Sequence, residues 1–185
     1  MDDLLIRPAE PRDAAALAEI YAPSVTQRPT SFELDVPDAA EMAARLQRVT
    51  ATWPWLVAGQ GGEVLGYCYA SAFAERPAYR WSVATTVYVR DAAQRCGVGR
   101  ALYARLFEML RAQGAVMAYA GITLPNEASV GLHRAVGFEP VGVYPRAGFK
   151  LGRWWDVAWF GLTLRALAPD EPPGELRPWQ DAARA

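Results

Sequence analysis

One histidine and two cysteines in 185 residues are the scarcest resources of this chain. A single imidazole, His133, cannot assemble a histidine-based metal site, so no metal is expected. Cys68 and Cys96, with no secretion signal ahead of them, read as reduced thiols rather than a disulfide framework. An excess of charge is missing too. Lys and Arg number 19 against 20 Asp and Glu, a formal net charge of −1, which gives no reason to expect nucleic acid or an anionic membrane as partner. No apolar run approaches the roughly 20 residues of a membrane span. Met1-Asp2-Asp3 is acidic where a signal peptide needs a basic region. These absences together predict a cytoplasmic protein.

What is present suits a globular enzyme-sized domain. The apolar fraction is 52%, with seven tryptophans, enough for one sizeable core. The composition changes once. From Ala168 onward Pro169, Pro172, Pro173 and Pro178 alternate with charge, so residues 4–165 are expected to fold and 168–185 to be a disordered tail. There are no internal repeats.

Along the folded part, Leu4-Leu5-Ile6-Arg7 reads as a strand. Pro11-Arg12-Asp13 opens a helix whose apolar face is Ala16, Leu17, Ile20 and Tyr21, and Pro23 is expected to end or kink it. Asp38 caps a second helix from Ala39 to about Val49. Trp55–Ala58 and Glu63–Ala70 flank Gln60-Gly61-Gly62 as a hairpin. Ser82–Val89 is the next strand. Leu102, Leu106, Phe107 and Leu110 give a third helix helical spacing, and Gly114 stops it. Val116–Ile122 is a fifth strand, Asn126–Val136 a short helix, and Val141–Tyr144 and Asp156–Leu164 two last strands. The sum is α/β: a central mixed seven-stranded sheet with helices on both faces, its ligand crevice beyond the end of the Ser82–Val89 strand.

The most informative run joins that strand to the third helix: Gln94-Arg95-Cys96-Gly97-Val98-Gly99-Arg100. Glycines stand where side chains would collide with an approaching group, backbone amides and a helix N-terminus face it, and Arg95 and Arg100 add charge. This is the arrangement of a pyrophosphate site. The run is shorter than the dinucleotide fingerprint and lacks the lysine-serine pair of a P-loop, so neither of those applies. As a loop residue, Gly99 is expected to have no core contact to lose.

Taken together, the glycine loop, Leu124-Pro125-Asn126-Glu127-Ala128-Ser129 and Leu132-His133-Arg134-Ala135-Val136-Gly137-Phe138 resemble the GNAT superfamily of N-acetyltransferases. Arg76–Val83, Val87-Tyr88-Val89, Gly148-Phe149-Lys150 and Trp154–Val157 are similar to its phosphinothricin and methionine-sulfoximine acetyltransferase subgroup. The resemblance runs from residue 4 to about 165. It implies a mostly antiparallel sheet and acetyl-CoA as cosubstrate. Val87 and Val89 would pair through their backbone with the pantetheine arm, Gln94 and Arg95–Arg100 (Gly97, Val98 and Gly99 included) would hold the pyrophosphate, and Asn126 and Ser129 would contact the cofactor. Asn126 also suits a helix N-cap.

The resemblance further implies roles for four other residues and marks two departures. His133 stands where many superfamily members carry a tyrosine that protonates the departing thiolate, a task open to imidazole or to water. Arg76 and Tyr79 match residues on the substrate's carboxylate side, where a planar guanidinium meets a carboxylate bidentately, and Phe32 matches an aromatic lining the same pocket. Ala74 replaces a second basic residue. Ala84 replaces the glutamate thought to act as general base, and an alanine cannot accept a proton. Thr85 and Glu33 are the residues conceivable as water-holding substitutes. The reading is therefore an N-acetyltransferase acting on a small amino-acid-like amine by direct attack in a ternary complex, and the subgroup implies a homodimer. The rival readings are a peptide or protein N-terminal acetyltransferase, and a catalytically weak acyl-CoA-binding protein.

Overall fold

The structure, a computed structural model, describes residues 4–183. Its strands are β1 (Leu5–Pro8), β2 (Trp55–Gln60), β3 (Glu63–Ala72), β4 (Ser82–Val89), β5 (Met117–Leu124), β6 (Glu139–Lys150) and β7 (Arg153–Thr163). The helices are α1 (Ala14–Thr26), α2 (Ala39–Thr50), α3 (Val98–Gln113), α4 (Glu127–Ala135) and α5 (Trp179–Ala183). All seven strands form one sheet, in the order β1-β2-β3-β4-β5-β7-β6. Every neighbouring pair is antiparallel except β4 and β5. The mixed, mostly antiparallel α/β architecture is the expected one.

Periodicity assigns the two faces. On α3, Leu102, Tyr103, Leu106 and Leu110 share one side and pack on Cys68, Val83, Ala118 and Ile122 of the sheet. On the opposite face Leu17 and Tyr21 of α1 and Met42 and Leu46 of α2 pack on Trp55, Val57 and Tyr67. Each large side chain buried in this way contributes roughly 1.5–3 kcal/mol relative to exposure, so both helix layers are integral to the sheet. Asp38 caps α2 by accepting the Glu41 N–H at 2.8 Å, as expected.

The feature that creates a crevice is the short parallel pairing. β4 and β5 are in register only at Ser82↔Met117, Val83↔Ala118 and Ala84↔Tyr119. β4 stays with β3 as far as Val89, and β5 stays with β7 as far as Leu124. Beyond Ala84 the two central strands part, and the backbone edge of each that faces the gap has no strand partner among the described residues. The crevice lies along the C-terminal half of β4 and so begins within the strand, earlier than the position beyond its end that the chain order suggested.

Two expectations need correction. Pro23 does not end α1: the helix runs on to Thr26, and Gln27 N–H still reaches Pro23 O at 3.0 Å. A proline in the last turn removes one N–H but leaves its own carbonyl available. Nor is the segment from Ala168 a disordered tail as far as Ala183. Trp179 is 7% exposed within the α3-side core, and its indole donates to Thr50 O at 2.8 Å. Arg177 N–H bonds Gln113 O at 2.8 Å, and the Trp81 indole bonds Gly174 O at 2.7 Å. Leu176 packs against the same core. Two apolar anchors among the prolines suffice to dock the strap, which the composition of the segment hides. Residues 184 and 185 lie outside the described part.

Candidate active site

The gap between β4 and β5 is lined on one side by Thr85–Val89. Alternation sends Val83, Val87 and Val89 toward α3, where they join the core, and Ala84, Thr86 and Tyr88 toward α1. The backbone of Val87 and Val89 therefore borders the gap while their side chains fix the strand. Gln94 ties the following loop back to this strand: its amide group donates to Asp91 Oδ1 at 2.9 Å and to Val89 O at 3.4 Å. Asp91 is in turn gripped by both terminal nitrogens of Arg28.

The loop then turns sharply. Arg95 has φ 62° and Gly97 φ 84°, left-handed values that glycine adopts without cost. Space for a side chain exists at Gly97, so conformation is what selects glycine there. The first helical bond runs from Ala101 N–H to Gly97 O at 3.0 Å, which leaves the amides of Val98, Gly99 and Arg100 without an intrahelical acceptor. Arg95 and Arg100 are exposed and form no ion pair among the described residues. Free amides at a helix N-terminus and two uncommitted guanidinium groups fit the diphosphate of a CoA ester. Gly99 corrects its expectation. It is buried, and a Cβ there would lie 2.9 Å from Leu132 Cδ2. This glycine lets α3 approach α4 as well as keeping the amide edge clear.

At the other side of the gap, α4 begins with Asn126, whose Oδ1 accepts the Ser129 N–H at 3.1 Å. The N-cap role is present, at the mouth of the gap. His133 is only 4% exposed. Its Nδ1–H donates to Ser129 O at 2.7 Å, and its Nε2 accepts from the Tyr103 hydroxyl at 2.9 Å. Burial lowers its pKa, partly offset by the Ser129 carbonyl, so the ring is neutral near pH 7 and its one N–H is already donated. The geometry describes a packed, hydrogen-bonded ring tying α3 to α4.

On the α1 side, Ala84 pairs with Ser71 of β3 and Tyr119 of β5, and no carboxylate occupies its strand. Thr85 is buried and donates to Tyr119 O at 3.2 Å; it belongs to the opposite face. Glu33 lies on the α1 side but is held by Arg45 through two bonds of 2.6 and 3.0 Å. Arg45 holds its pKa below the usual carboxylate range, against the opposing effect of burial, which makes it a weak base. Arg76 is exposed and without an ion pair among the described residues; it begins the short turn Pro77–Tyr79. Tyr79 joins Phe73, Tyr119, Trp159 and Tyr144 in a run of ring contacts with centroids 4.5–6.1 Å apart. Phe32 lies outside this run of ring contacts, with its ring against Gly148 of β6.

The sequence alone missed Phe73, Tyr119, Trp159 and Tyr103. Helix packing brings Tyr103 to His133, whereas strand register places the other three: β5 carries Tyr119 beside Ala84 only because the parallel pairing begins at Ser82 and Met117.

A family model for the acetyltransferase (GNAT) domain matches residues 6–159. Phosphinothricin N-acetyltransferase of Streptomyces viridochromogenes is 38% identical over 90% of this chain and 91% of its own. L-methionine sulfoximine/L-methionine sulfone acetyltransferase of Salmonella typhimurium is 34% identical, covering 90% of this chain and 99% of its own. Among solved structures, a GNAT superfamily phosphinothricin acetyltransferase from Sinorhizobium meliloti in complex with AcCoA superposes with a TM-score of 0.89 at 36% identity, over 95% and 96% of the two chains. This chain belongs to the GNAT acetyltransferase family and is an N-acetyltransferase of that family.

Proposed function

We propose that this enzyme uses acetyl-CoA to acetylate the amine of a small, carboxylate-bearing, amino-acid-like substrate of the phosphinothricin or methionine-sulfoximine kind. The observation that carries the cofactor half is the parting of β4 from β5 after Ala84, directly below the free amides of α3. The substrate half is supported by Arg76, an uncommitted guanidinium beside an aromatic surface, where a carboxylate and an organic side chain can be held together.

Acetyl-CoA supplies an acetyl thioester, and the residues divide the remaining work. Backbone groups of Val87 and Val89 would hold the pantetheine arm, with Asn126 and Ser129 at its flank. The amides of Val98, Gly99 and Arg100, with Arg95 and Arg100, would hold the diphosphate. Arg76 would orient the substrate's carboxylate, with Tyr79 and Phe32 lining its pocket. The amine nitrogen then attacks the carbonyl directly, the C–S bond breaks as the N–C bond forms, and the nitrogen gives up its surplus proton to water. His133, with its N–H committed to Ser129, orients α4, and the thiolate takes its proton from water.

Ala84 shapes the chemistry. Attack needs a neutral amine, and at pH 7 neutrality costs roughly 4.6 kcal/mol for an amine of pKa about 10.4 but only about 1.4 for one near 8. The enzyme therefore prefers amines of low pKa and a rate that rises with pH. Ala84 also sustains a second reading, a protein that binds acyl-CoA and turns over weakly. Steady-state release of CoA with a panel of amino acids, their amides and short peptides, at pH 7 and pH 9, tests the proposal. Fast release with amino acids supports it; release with peptides alone, or none above hydrolysis, overturns it.

A homodimer and a cytoplasmic location complete the proposal. Val141, Val143, Tyr144 and Phe149 are exposed along the outer strand β6, an unpaired edge of the kind a second copy covers. No helix among the described residues is long and apolar enough to cross a membrane.

A further inference from the structure

Lys150 closes β6, and it is buried, 5% exposed. A buried ammonium normally faces a carboxylate. This one has no ion pair among the described residues; its Nζ donates to two backbone carbonyls, Ser24 O at 3.2 Å and Ser31 O at 2.5 Å. Ser24 lies in the last turns of α1, whose final carbonyls have no helical donor and form the negative end of the helix dipole. Ser31 belongs to the loop that carries Phe32 and Glu33. One cation thus joins a helix end to that loop, 119 residues distant in sequence.

The clamp has a rigid base and an ordered target. The Trp155 indole donates to Lys150 O at 2.8 Å, fixing the end of β6 against β7. Two residues back, a Cβ at Gly148 would fall 2.6 Å from Phe32 Cε1 and Cζ, so the Phe32 ring rests on bare β6 backbone. The far side of the loop is closed by a ring of hydrogen bonds. The Ser31 hydroxyl donates to Tyr21 Oη at 2.5 Å, the Tyr21 hydroxyl to Glu33 Oε1 at 2.9 Å, and Glu33 N–H to Ser31 Oγ at 3.1 Å. Arg45 anchors Glu33. Phe32 therefore sits between two fixed points, and among the described residues Lys150 is the one side chain that holds the β6 side by hydrogen bonds.

We infer that Lys150 is a positioning residue for the substrate pocket, holding the Ser31–Glu33 loop so that Phe32 stays pressed on Gly148 beside the bound amine. The inference rests on Phe32 lining that pocket, as proposed above. It goes further in assigning the task to a lysine that touches neither substrate nor cofactor. Burial also lowers the Lys150 pKa, with Glu33 opposing, as a desolvated ammonium held by carbonyl dipoles should show.

The test replaces Lys150 with methionine, which keeps the length and removes the donors. Bonds to a charged donor are strong enough that the amine KM should rise about tenfold, with the acetyl-CoA KM within about twofold and kcat within about threefold. Backbone amide exchange at residues 27–34 should quicken about tenfold in the free enzyme as the loop opens locally. Lys150→Arg, which keeps a cation and its donors, should recover most of that protection. Unchanged exchange in Lys150→Met, or equal rises in both KM values, overturns the assignment. Exchange needs no turnover, so failure of the proposed substrate class would show as no amine acetylated by wild type, with the exchange result still deciding the role of Lys150. Should Lys150→Met not fold, Lys150→Gln gives the same two readings with a shorter donor.

Discussion

The rings of Phe73 and Tyr119 lie 4.5 Å apart, centroid to centroid, although their strands flank β4 on opposite sides. Phe73 directly follows β3, with its N–H on Ser82 O, and Tyr119 is in β5. Two strand spacings separate such positions by about 9.6 Å. The rings can meet only by leaning over the central strand, above Ser82 and Ala84. Phe73 also reaches Trp159 of β7, at 6.1 Å. Ala84 is in register with Tyr119 on the same face of the sheet, so a longer side chain at this position would extend toward the aromatic bridge.

Ala84→Glu alone is therefore expected to disturb the bridge. Forcing four extra heavy atoms under packed rings should cost about 1–3 kcal/mol and leave the carboxylate poorly placed. Tyr119→Val together with Ala84→Glu removes the obstruction, and this pair should raise the rate near neutrality by up to about 10²-fold, the lower end of what a positioned base contributes. Thermal melts and pH–rate profiles on the four proteins of the cycle check both statements. A single Ala84→Glu variant as stable as wild type and already faster at pH 7 would show that the bridge does not limit this site.

How far the sequence carried can be judged from three places. The strand, loop and helix around Gly97 were legible because each rests on local chemistry: β-branched alternation, a glycine at a left-handed position, apolar residues at helical spacing. The strap after Ala168 was not, because four prolines dominate its composition while two apolar residues, Leu176 and Trp179, decide its docking. Gly99, His133 and Ala84 were found as positions, but their work was not readable. What each does depends on Leu132, Tyr103 and Tyr119, residues brought in by helix packing and strand register. Periodicity says which way a side chain points; it does not say which other element stands opposite.

Gly99 offers a way to separate packing from anion binding. A valine there meets Leu132 Cδ2, so Gly99→Val should lose about 1–3 kcal/mol of stability along with acetyl-CoA affinity. Arg95→Ala with Arg100→Ala changes exposed side chains that have no ion pair among the described residues. Its stability should move by less than about 0.5 kcal/mol per site, while acetyl-CoA binding weakens roughly tenfold or more. Calorimetric titration and thermal melts on the two variants read these quantities. Undiminished affinity in the double arginine variant would remove the diphosphate from this loop.

His133 makes stability depend on pH in a predictable direction. Its folded pKa is lowered by burial, whereas the unfolded chain titrates near 6.5. The unfolded state therefore takes up a proton first as pH falls. The contribution of the neutral ring is complete above about pH 6.5 and is lost below it, toward the folded pKa, by up to roughly 1.4 kcal/mol for each pH unit. His133→Gln keeps a hydrogen-bonding side chain without a titration. Denaturant melts at pH 7.5 and 5.5 should show a fall in wild type that exceeds the fall in His133→Gln. Parallel falls in the two proteins would mean that the ring is equally protonated in both states.

Arg76 decides whether the substrate carries a carboxylate. Its guanidinium is exposed and has no ion pair among the described residues, so nothing in the fold already uses its charge. If it pairs bidentately with a substrate carboxylate, Arg76→Ala removes charge-assisted bonds worth roughly 1.5–3 kcal/mol. The KM for a carboxylate-bearing amine should then rise about ten- to a hundredfold, against at most a few-fold for the matching amide. Stability should barely change, because an exposed side chain with no partner has little folding energy to lose. Arg76→Lys keeps the charge but not the planar fork, and should recover only part of the loss. Comparing an amino acid with its amide at a pH where both amines are neutral keeps the missing base at Ala84 out of the measurement. If acid and amide suffer alike, Arg76 supports the Pro77–Tyr79 turn instead, and a neutral or peptide amine becomes the better substrate for this aromatic surface.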